Sequence, residues 1–333
     1  MRISGNRPGV PARLQHAAAF HDTTEDLVAR LVPMVEAATH RGEPVALALH
    51  PRTEEALRAA LSPAATQPSS TQPSSTQPSP APTLHSLSGP GHDACSGQTV
   101  ALSRARELRE MTRAEGTVTV LTEHRADLDG PDGAFWTELD AAVNVALADL
   151  PVHLTCFFPE MPLHLSVLHG ARRNHPLLLV DGELRHNPEH RDPHAVLADT
   201  PIAPPALLGA PDLHLRFRAW QLQEVRREVR RLAESTGFVA ERVDDVVQAV
   251  NEVATNAVEH GARDGELYLW ATADALMCEV HDSGVLRDPL PGLVAPHPSD
   301  PHGRGLWIAR QLCDLLHVWT DQGGTHVRVR AAP

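Results

Sequence analysis

Short apolar runs alternate with helical segments throughout the first half of the chain. Runs such as "PVALAL" (44–49) and "VHLTCFF" (152–158) are apolar at nearly every position, and segments such as 25–41 and 135–148 repeat apolar residues with the helical period. Strands that are apolar on both faces are typical of a parallel sheet covered by helices on both sides. The pattern predicts an α/β domain with a mostly parallel sheet over residues 14–198.

A low-complexity segment interrupts this first half. Residues 66–80 read "TQPSSTQPSSTQPSP", a five-residue repeat of Thr, Gln, Pro and Ser. Such a segment buries no apolar surface, and each proline removes a backbone donor. We therefore expect a disordered linker over about 62–92 that serves only as a spacer.

The pattern changes after a second proline-rich stretch. "DTPIAPPALLGAPD" (199–212) is the expected linker between two domains. Amphipathic helices are predicted at 222–235, with Gly237 as its stop, and at 241–260. They are followed by alternating strands and by a further helix over "GLWIARQLCDLLH" (305–317). Helices and a mixed sheet that segregate in this way predict an α+β two-layer sandwich over 213–331.

The composition excludes some classes of function and disfavours others. All 29 basic residues are Arg, so a Walker-type phosphate loop and Schiff-base chemistry, which both need Lys, are excluded. The formal charge of −13 disfavours a nucleic-acid-binding surface. The four cysteines, Cys95, Cys156, Cys278 and Cys313, form no CxxC pair and are expected to be buried hydrophobes. No apolar run reaches the length of a membrane span, and no signal-peptide pattern is seen, so a cytoplasmic location without membrane contact is expected.

A polar stripe on the 241–260 helix raises the question of a site. Glu252, Asn256 and His260 follow one another at four-residue steps, which places them on one face of a helix. A solvated face is the commoner meaning of such a stripe. Further motifs in the same domain favour a binding site.

These motifs follow in a fixed order along the domain. The strand "CEVHD" ends in "DSG", which places Asp282 and Gly284 at a strand end, and "GRGL" places Gly303 and Gly305 at the start of a helix. Backbone amides at a helix N-terminus, uncrowded by side chains, favour phosphate binding. "GGT" then places Thr325 at the start of the last strand.

On these motifs the segment from about 215 to 330 resembles the GHKL (Bergerat-fold) ATPase superfamily and, within it, the anti-sigma regulatory factor kinases. The resemblance makes "NEVATNAVEH" (251–260) the N box and implies ATP and Mg²⁺ as cofactors. It implies that Asn256 is the Mg²⁺ ligand and that Glu252 is the general base. It also implies that Asp282 accepts a hydrogen bond from the adenine amino group, and that the neighbouring nucleotide-binding residues are Gly284, Gly303, Gly305 and Thr325.

The chain departs from the family pattern in and just before its lid, the segment "VLRDPLPGLVAPHPSDPHGRG" (285–305). The family's DxGxG element reads "DSGVL", so that Leu286 replaces the second glycine. Arg287 and Arg304 are the candidate cations for a γ-phosphate in this region. The histidines His281, His297 and His302 match no metal-ligand spacing and are interpreted as ordinary polar residues.

The first half is similar, less specifically, to the MEDS sensory domain. The similar segments are "HAAAFHDTTEDLVARLVP", "RGEPVALAL", "LTCFFP" and "ARRNHPLLLVDGEL". The resemblance implies a small-molecule signal, and His16, His21 and His175 could line the pocket that receives it. A lone buried histidine is more often structural, so the sequence assigns these three no function.

Three functional hypotheses remain open. The first is a serine/threonine protein kinase that phosphorylates an anti-anti-sigma (STAS-domain) partner and holds a sigma factor, with a homodimer as the family's usual assembly. The second is a sensor histidine kinase, although the 222–235 helix has no His and His214 lies before it. The third is a binding module gated by nucleotide, without catalysis.

Overall fold

Two compact units make up the fold. The computed structural model describes residues 13–62, 82–89, 96–129, 133–161, 163–260, 264–297, 299 and 303–333. Contacts within the chain assign 1–89, 103–133 and 147–191 to the first unit and 90–102, 134–146 and 192–333 to the second. The second unit thus includes two short segments that precede the predicted linker in sequence.

The first unit is built on a seven-stranded sheet. Its strands are β1 (Gln15–His21), β2 (Val45–Ala48), β3 (Leu84–Ser86), β4 (Val118–Glu123), β5 (Val152–Pro159), β6 (Leu177–Val180) and β7 (Glu183–His186). They are ordered β3-β2-β4-β5-β1-β6-β7. Every neighbouring pair is parallel except β6–β7, which forms an antiparallel hairpin. The predicted mostly parallel sheet is confirmed.

Helices of this part of the chain alternate with the strands, as the sequence pattern predicts. They are α1 (Thr24–His40), α2 (Pro51–Ala60), α3 (Gly97–Glu115), α4 (Ala134–Ala146) and α5 (Leu165–Asn174). The Thr23 side chain accepts a hydrogen bond from Asp26 N and so caps α1. The inner stripe of α1 is fully buried in a core shared with β2, where it consists of Leu27, Leu31, Val35 and Ala38. Burial of this stripe, with its helical period, fixes α1 against the sheet.

The predicted disordered linker extends too far at its C-terminal end. Within the segment 62–92, Leu84–Ser86 form β3, which pairs in parallel with β2, and Leu87 is buried. This stretch follows the repeat and no longer has its composition, because Leu84 and Leu87 supply apolar side chains that the repeat lacks. The repeat itself, 66–80, lies outside the described residues, as does Cys95.

The second unit is an α+β sandwich. Its strands are β8 (Leu213–Arg218), β9 (Asp264–Ala271), β10 (Leu276–Asp282), β11 (Leu315–Asp321) and β12 (Gly324–Ala331), ordered β11-β12-β10-β9-β8. The short helix α6 (Pro193–Asp199) ends where the proline-rich stretch begins. Three helices follow that stretch: α7 (Leu222–Ser235), α8 (Ala240–His260) and α9 (Gly305–Leu312). The two-layer α+β sandwich is confirmed, but the prediction of a mixed sheet is wrong. All four strand pairs are antiparallel.

The helix predicted at 305–317 is also too long. α9 ends at Leu312, and Cys313 is extended, with φ −123° and ψ 162°. Leu315 and Leu316 then begin β11 and are buried within the sheet. A short apolar run satisfies helical and strand periods alike, so only pairing with β12 decides its conformation.

The proline-rich stretch 199–212 has no regular secondary structure beyond the end of α6, yet the sheet holds it by hydrogen bonds. The Arg328 guanidinium donates to the Ala206 carbonyl at 2.7 Å, and the His317 ring lies 3.0 Å from the Ala203 carbonyl. Trp270 Nε1 donates to the Gly209 carbonyl at 3.2 Å. This stretch is therefore part of the second unit, as well as a connection.

Candidate functional site

The polar stripe of α8 lies opposite a packed apolar face. The apolar face is buried in the core of the second unit and includes Val243, Val246, Val247, Val250, Ala254 and Ala257. Glu252 and Asn256 are half-buried, and His260 is exposed at the end of the helix. A fully solvated stripe would leave all three side chains exposed, so the stripe faces a partly enclosed space.

A carboxylate lies at the end of β10, beside the start of β12. Asp282 pairs in register with Thr325, and Asp282 Oδ1 accepts a hydrogen bond from Gly284 N at 2.7 Å. The Thr325 hydroxyl donates to the Gly284 carbonyl at 3.0 Å. Burial raises the pKa of Asp282, while the Gly284 N–H and the neighbouring His281 and His326 oppose that rise. Three predicted site residues thus form one hydrogen-bonded corner.

Gly324 allows the two strands to meet so closely. Its φ is +134°, and a Cβ built on it would lie 2.0 Å from the Asp282 carbonyl oxygen and 2.6 Å from Ser283 Cα. No other residue fits this contact between two backbones. The "GG" turn before Thr325 is the only sequence signal for it.

The N-terminus of α9 reaches the stripe of α8. A Cβ on Gly305, the first residue of α9, would lie 2.9 Å from Glu252 Oε2 and 3.3 Å from Asn256 Nδ2. Gly303 precedes it with φ +81°, a left-handed conformation that glycine adopts readily. The "GRG" motif therefore brings bare backbone against the two polar side chains of α8.

These segments enclose one cavity of about 270 Å³. Every residue predicted to bind nucleotide lines it: Asn256, Asp282, Gly284, Gly303, Gly305 and Thr325. His260 also lines it, and the apolar walls come from Val253, Ala257, Val280, Val318 and Val327. Glu252 lies beside the cavity through its contact with Gly305.

The described part of the lid packs against the domain. Leu290 and Leu293 are buried, and Leu286 is partly buried against the core of the second unit while it also lines the cavity. The residue that replaces the family's second glycine therefore anchors the start of the lid. Neither Arg287 nor Arg304, the predicted γ-phosphate cations, is among the described residues that line the cavity.

Sequence reasoning missed the buried Arg310 and the residues it holds. Arg310 is 2% exposed, and its guanidinium donates to the carbonyls of Pro291 (2.9 Å) and Leu316 (2.9 Å) and to the Gln98 side chain. Gln98 Nε2 in turn donates to the Val318 carbonyl at 3.2 Å. Arg310 thus ties the lid at Pro291 to β11 and to the start of α3. An amphipathic helix ordinarily exposes its Arg, so no local pattern marks this one.

The histidines outside the cavity have structural surroundings. His281 stacks on His326 with ring centroids 4.2 Å apart, and His297 Nδ1 lies 2.6 Å from Ser299 Oγ. Among the described residues, neither His281 nor His297 joins a group of metal-ligating side chains. His302 lies outside the described residues.

In the first unit, the structure brings together two of the three predicted pocket histidines. The His16 and His175 rings lie 4.0 Å apart, and both side chains are fully buried. His21 lies at the end of β1, where its Nδ1 is 3.2 Å from the Thr23 carbonyl. Burial lowers the pKa of His175 well below its usual range, which keeps the imidazole neutral.

Comparison with protein families agrees with both resemblances. Residues 215–331 match the model of the histidine kinase-like ATPase domain, and residues 15–176 match that of MEDS, the MEthanogen/methylotroph, DcmR Sensory domain. The chain joins a MEDS domain to a histidine kinase-like ATPase domain. No curated protein matches it. This architecture supports a kinase-like signalling regulator that depends on ATP.

The cavity of the ATPase domain has the chemistry that ATP and Mg²⁺ require. Its apolar walls suit a planar base, and the Asp282 carboxylate in the lining is a hydrogen-bond acceptor. The N-terminus of α9, in the same lining, suits phosphate oxygens, and the Asn256 side chain offers the oxygen that Mg²⁺ prefers. A Cβ at Gly305 would fill the space beside Asn256. The residues present therefore fit the nucleotide.

None of the described helices is long and apolar enough to cross a membrane. The buried state of Cys278 and Cys313 agrees with the expectation that they are small hydrophobes, whereas Cys156, also buried, has a polar neighbour, because its Sγ lies 3.3 Å from His16 Nε2.

Proposed function

We propose that the chain is a serine/threonine protein kinase of the anti-sigma type, which phosphorylates an anti-anti-sigma (STAS-domain) partner and controls a sigma factor in response to a signal at its MEDS domain. The observation that carries the proposal is that all six residues predicted to bind nucleotide, from four separate segments of the ATPase domain, line one cavity. Retention of Glu252 beside that cavity favours transfer over binding alone.

Each residue would have a distinct role at the bound nucleotide. Asp282 would accept a hydrogen bond from the adenine amino group through Oδ2, because Oδ1 is occupied by the Gly284 N–H. Thr325 would keep that corner in place through the Gly284 carbonyl. Asn256 would coordinate Mg²⁺, which neutralises phosphate charge. The N–H groups at Gly303 and Gly305 would face phosphate oxygens.

Glu252 would act on the partner's hydroxyl group. Its carboxylate would accept the hydroxyl proton while the hydroxyl oxygen bonds to the γ-phosphorus and the bond to the leaving ADP oxygen breaks. Transfer of this kind depends mainly on placement and charge neutralisation, so one positioned carboxylate is sufficient. The closeness of Glu252 to Gly305, where an added Cβ would lie 2.9 Å from Glu252 Oε2, supports this role.

The structure gives no support to phosphorylation on a helical histidine. His214 lies on β8, 3.0 Å from Glu266 Oε2, and stacks on Tyr268 with centroids 4.4 Å apart. A histidine kinase presents its phosphoacceptor on a dimerising helix before the ATPase domain, and α7 carries no His. We therefore rank the serine/threonine reading first and the nucleotide-gated module second.

The first test is ATP binding to the purified full chain, with and without Mg²⁺. The full chain is needed because Gln98 and Thr99 donate to carbonyls of β11, so a fragment that starts near 205 would lack part of the unit. We expect Asn256→Ala to remove the magnesium-dependent part of the binding. Asn251→Ala is the matched control, because Asn251 lies on the same helix and its Oδ1 accepts from Arg226 Nη1 at 2.8 Å. Equal loss in both variants, or none in Asn256→Ala, would refute the assignment.

The second test is phosphoryl transfer to purified STAS-domain proteins that carry Ser or Thr. We expect acid-stable phosphate on the partner, and we expect Glu252→Gln to reduce the rate at least ~100-fold without loss of ATP binding. Glu259→Gln, on the exposed end of α8, should transfer at the wild-type rate. Tight ATP binding without transfer to any partner would favour the nucleotide-gated module, and acid-labile phosphate on the chain itself would favour a histidine kinase.

A further inference from the structure

Three side chains of the MEDS domain converge in its buried sheet. His16 is on β1 and Cys156 on the adjacent parallel strand β5, while His175 follows α5 directly. His16 pairs with Leu154, two residues before Cys156, so His16 and Cys156 lie on the same face of the sheet. Each of the three offers one ligand atom within 4.8 Å of the others. His16 and His175 are fully buried, and Cys156 is 7% exposed.

The spacing of these atoms suits a tetrahedral metal ion. His16 Nε2 lies 3.3 Å from Cys156 Sγ. Around zinc, with Zn–N of about 2.05 Å and Zn–S of about 2.3 Å, a tetrahedral angle separates nitrogen and sulfur by about 3.5 Å. The observed separation therefore needs only a small adjustment. A thiol and an imidazole at this distance can also form a weak hydrogen bond, which is the competing explanation.

The protonation state of His175 is fixed by its other ring nitrogen. His175 Nδ1 lies 2.6 Å from the Ala171 carbonyl oxygen, which only accepts, so Nδ1 carries the hydrogen and Nε2 carries the lone pair. A metal-ligating histidine commonly donates its second ring N–H to a backbone carbonyl, which sets both tautomer and ring orientation. The α5 helix therefore holds His175 in the form that a ligand requires.

We propose that His16, Cys156 and His175 bind a thiophilic transition-metal ion, with zinc as the metal of choice. Two imidazole nitrogens and one thiolate are borderline-soft ligands that select zinc over magnesium or calcium. Binding converts the Cys156 thiol to a thiolate and releases its proton to solvent. Because the ligands are buried, the ion is taken up as the domain folds. The site is independent of the ATP cavity and of the proposed kinase activity.

The direct test measures metal in the full chain. After expression or refolding with zinc and removal of loose metal, we expect one zinc per chain by mass spectrometry. Cobalt substitution should give the near-ultraviolet charge-transfer band of a thiolate–cobalt bond. Cys156→Ser and His175→Gln should each lower zinc affinity more than ~100-fold, beyond the effect usual for residues that merely support a ligand. Cys313→Ser, a buried thiol of the second unit, is the matched control and should retain one zinc and the cobalt band.

Two further measurements keep the result decisive. Circular dichroism and ATP binding show whether each variant is folded, and unfolding of the wild-type chain with and without a chelator tests the site with no substitution at all. We expect the chelator to lower the unfolding temperature of the MEDS domain. Less than stoichiometric zinc in the refolded wild type, or full zinc binding by a folded triple variant of the three residues, would overturn the proposal.

Discussion

The two candidate sites of this chain are built in opposite ways. The cavity of the ATPase domain is made where bare backbone meets side chains, at Gly305 against Glu252 and at Gly324 against Asp282. The MEDS cluster is made by side chains alone, from His16, Cys156 and His175 on neighbouring elements. Where backbone makes the site, an added side-chain atom crowds it. Where side chains make the site, a substituted residue of equal volume still packs, but the ligand or hydrogen-bonding group is lost. Four predictions test this difference.

The largest effect is expected at Gly324. Gly324→Ala places a Cβ 2.0 Å from the Asp282 carbonyl oxygen in a left-handed backbone, so we expect it to destabilise the ATPase domain by at least about 3 kcal/mol. Gly182→Ala is the control, because Gly182 has φ +76° but no atom within 4 Å of its Cβ position. That variant should lose only about 1 kcal/mol. Chemical denaturation followed by circular dichroism measures both, and equal losses would show that backbone conformation, and not the close contact, determines the cost.

A smaller loss of stability is expected in the MEDS cluster. His175→Phe nearly conserves volume but removes the hydrogen bond to the Ala171 carbonyl in a buried site, which should cost about 2 kcal/mol. His169→Phe, at an exposed position of the same helix, should stay within about 0.5 kcal/mol of the wild type. Hydrogen exchange of the α5 peptides reports the change locally. If both variants exchange alike, the ring of His175 contributes only volume.

Gly305→Ala should separate binding from folding. The added Cβ would lie 2.9 Å from the Glu252 carboxylate, which can move, and it would crowd Asn256. We expect ATP affinity to fall about 10–100-fold, equivalent to about 1.4–2.7 kcal/mol, with stability changed by less than about 1 kcal/mol. Gly89→Ala, where no atom lies within 4 Å of the Cβ position, should bind ATP as the wild type does. An unchanged affinity in Gly305→Ala would mean that phosphates do not approach α9.

The smallest effect is the pH dependence of ATP binding. Asp282 must be ionised to accept the adenine amino hydrogen, and burial raises its pKa above the ordinary 3.8. Because the raised pKa favours the protonated form, affinity should fall as the pH drops, with a midpoint above 3.8 and tenfold weaker binding about one pH unit below that midpoint. Titration calorimetry of a non-hydrolysable ATP analogue measures the profile. Asp282→Asn should bind weakly without this dependence, and an identical profile in that variant would assign the titration to another group.

The six predicted residues of the ATPase cavity could be identified from the sequence because glycine spacing and helical period mark their positions. Asn256, Asp282, Gly303 and Gly305 are tied to a helix face, a strand end and a helix start, each of which is a local property of the chain. The same reasoning misplaced the end of α9, because Leu315 and Leu316 fit either period until β12 pairs with them. It likewise missed β3, because a strand of three residues is too short to show a period and is recognised only by its pairing with β2.

What the sequence by itself determined is the class of each domain, the polar stripe of α8 and the six predicted nucleotide-binding residues that the structure places around the cavity. Local periodicity and backbone freedom are sufficient for these, since they act within a few residues. Only the tertiary structure decided that Arg310 is buried against Gln98 and Pro291, and that His16, Cys156 and His175 meet. Such contacts join residues that are far apart in sequence, and strand order and register, which no local pattern encodes, bring them together.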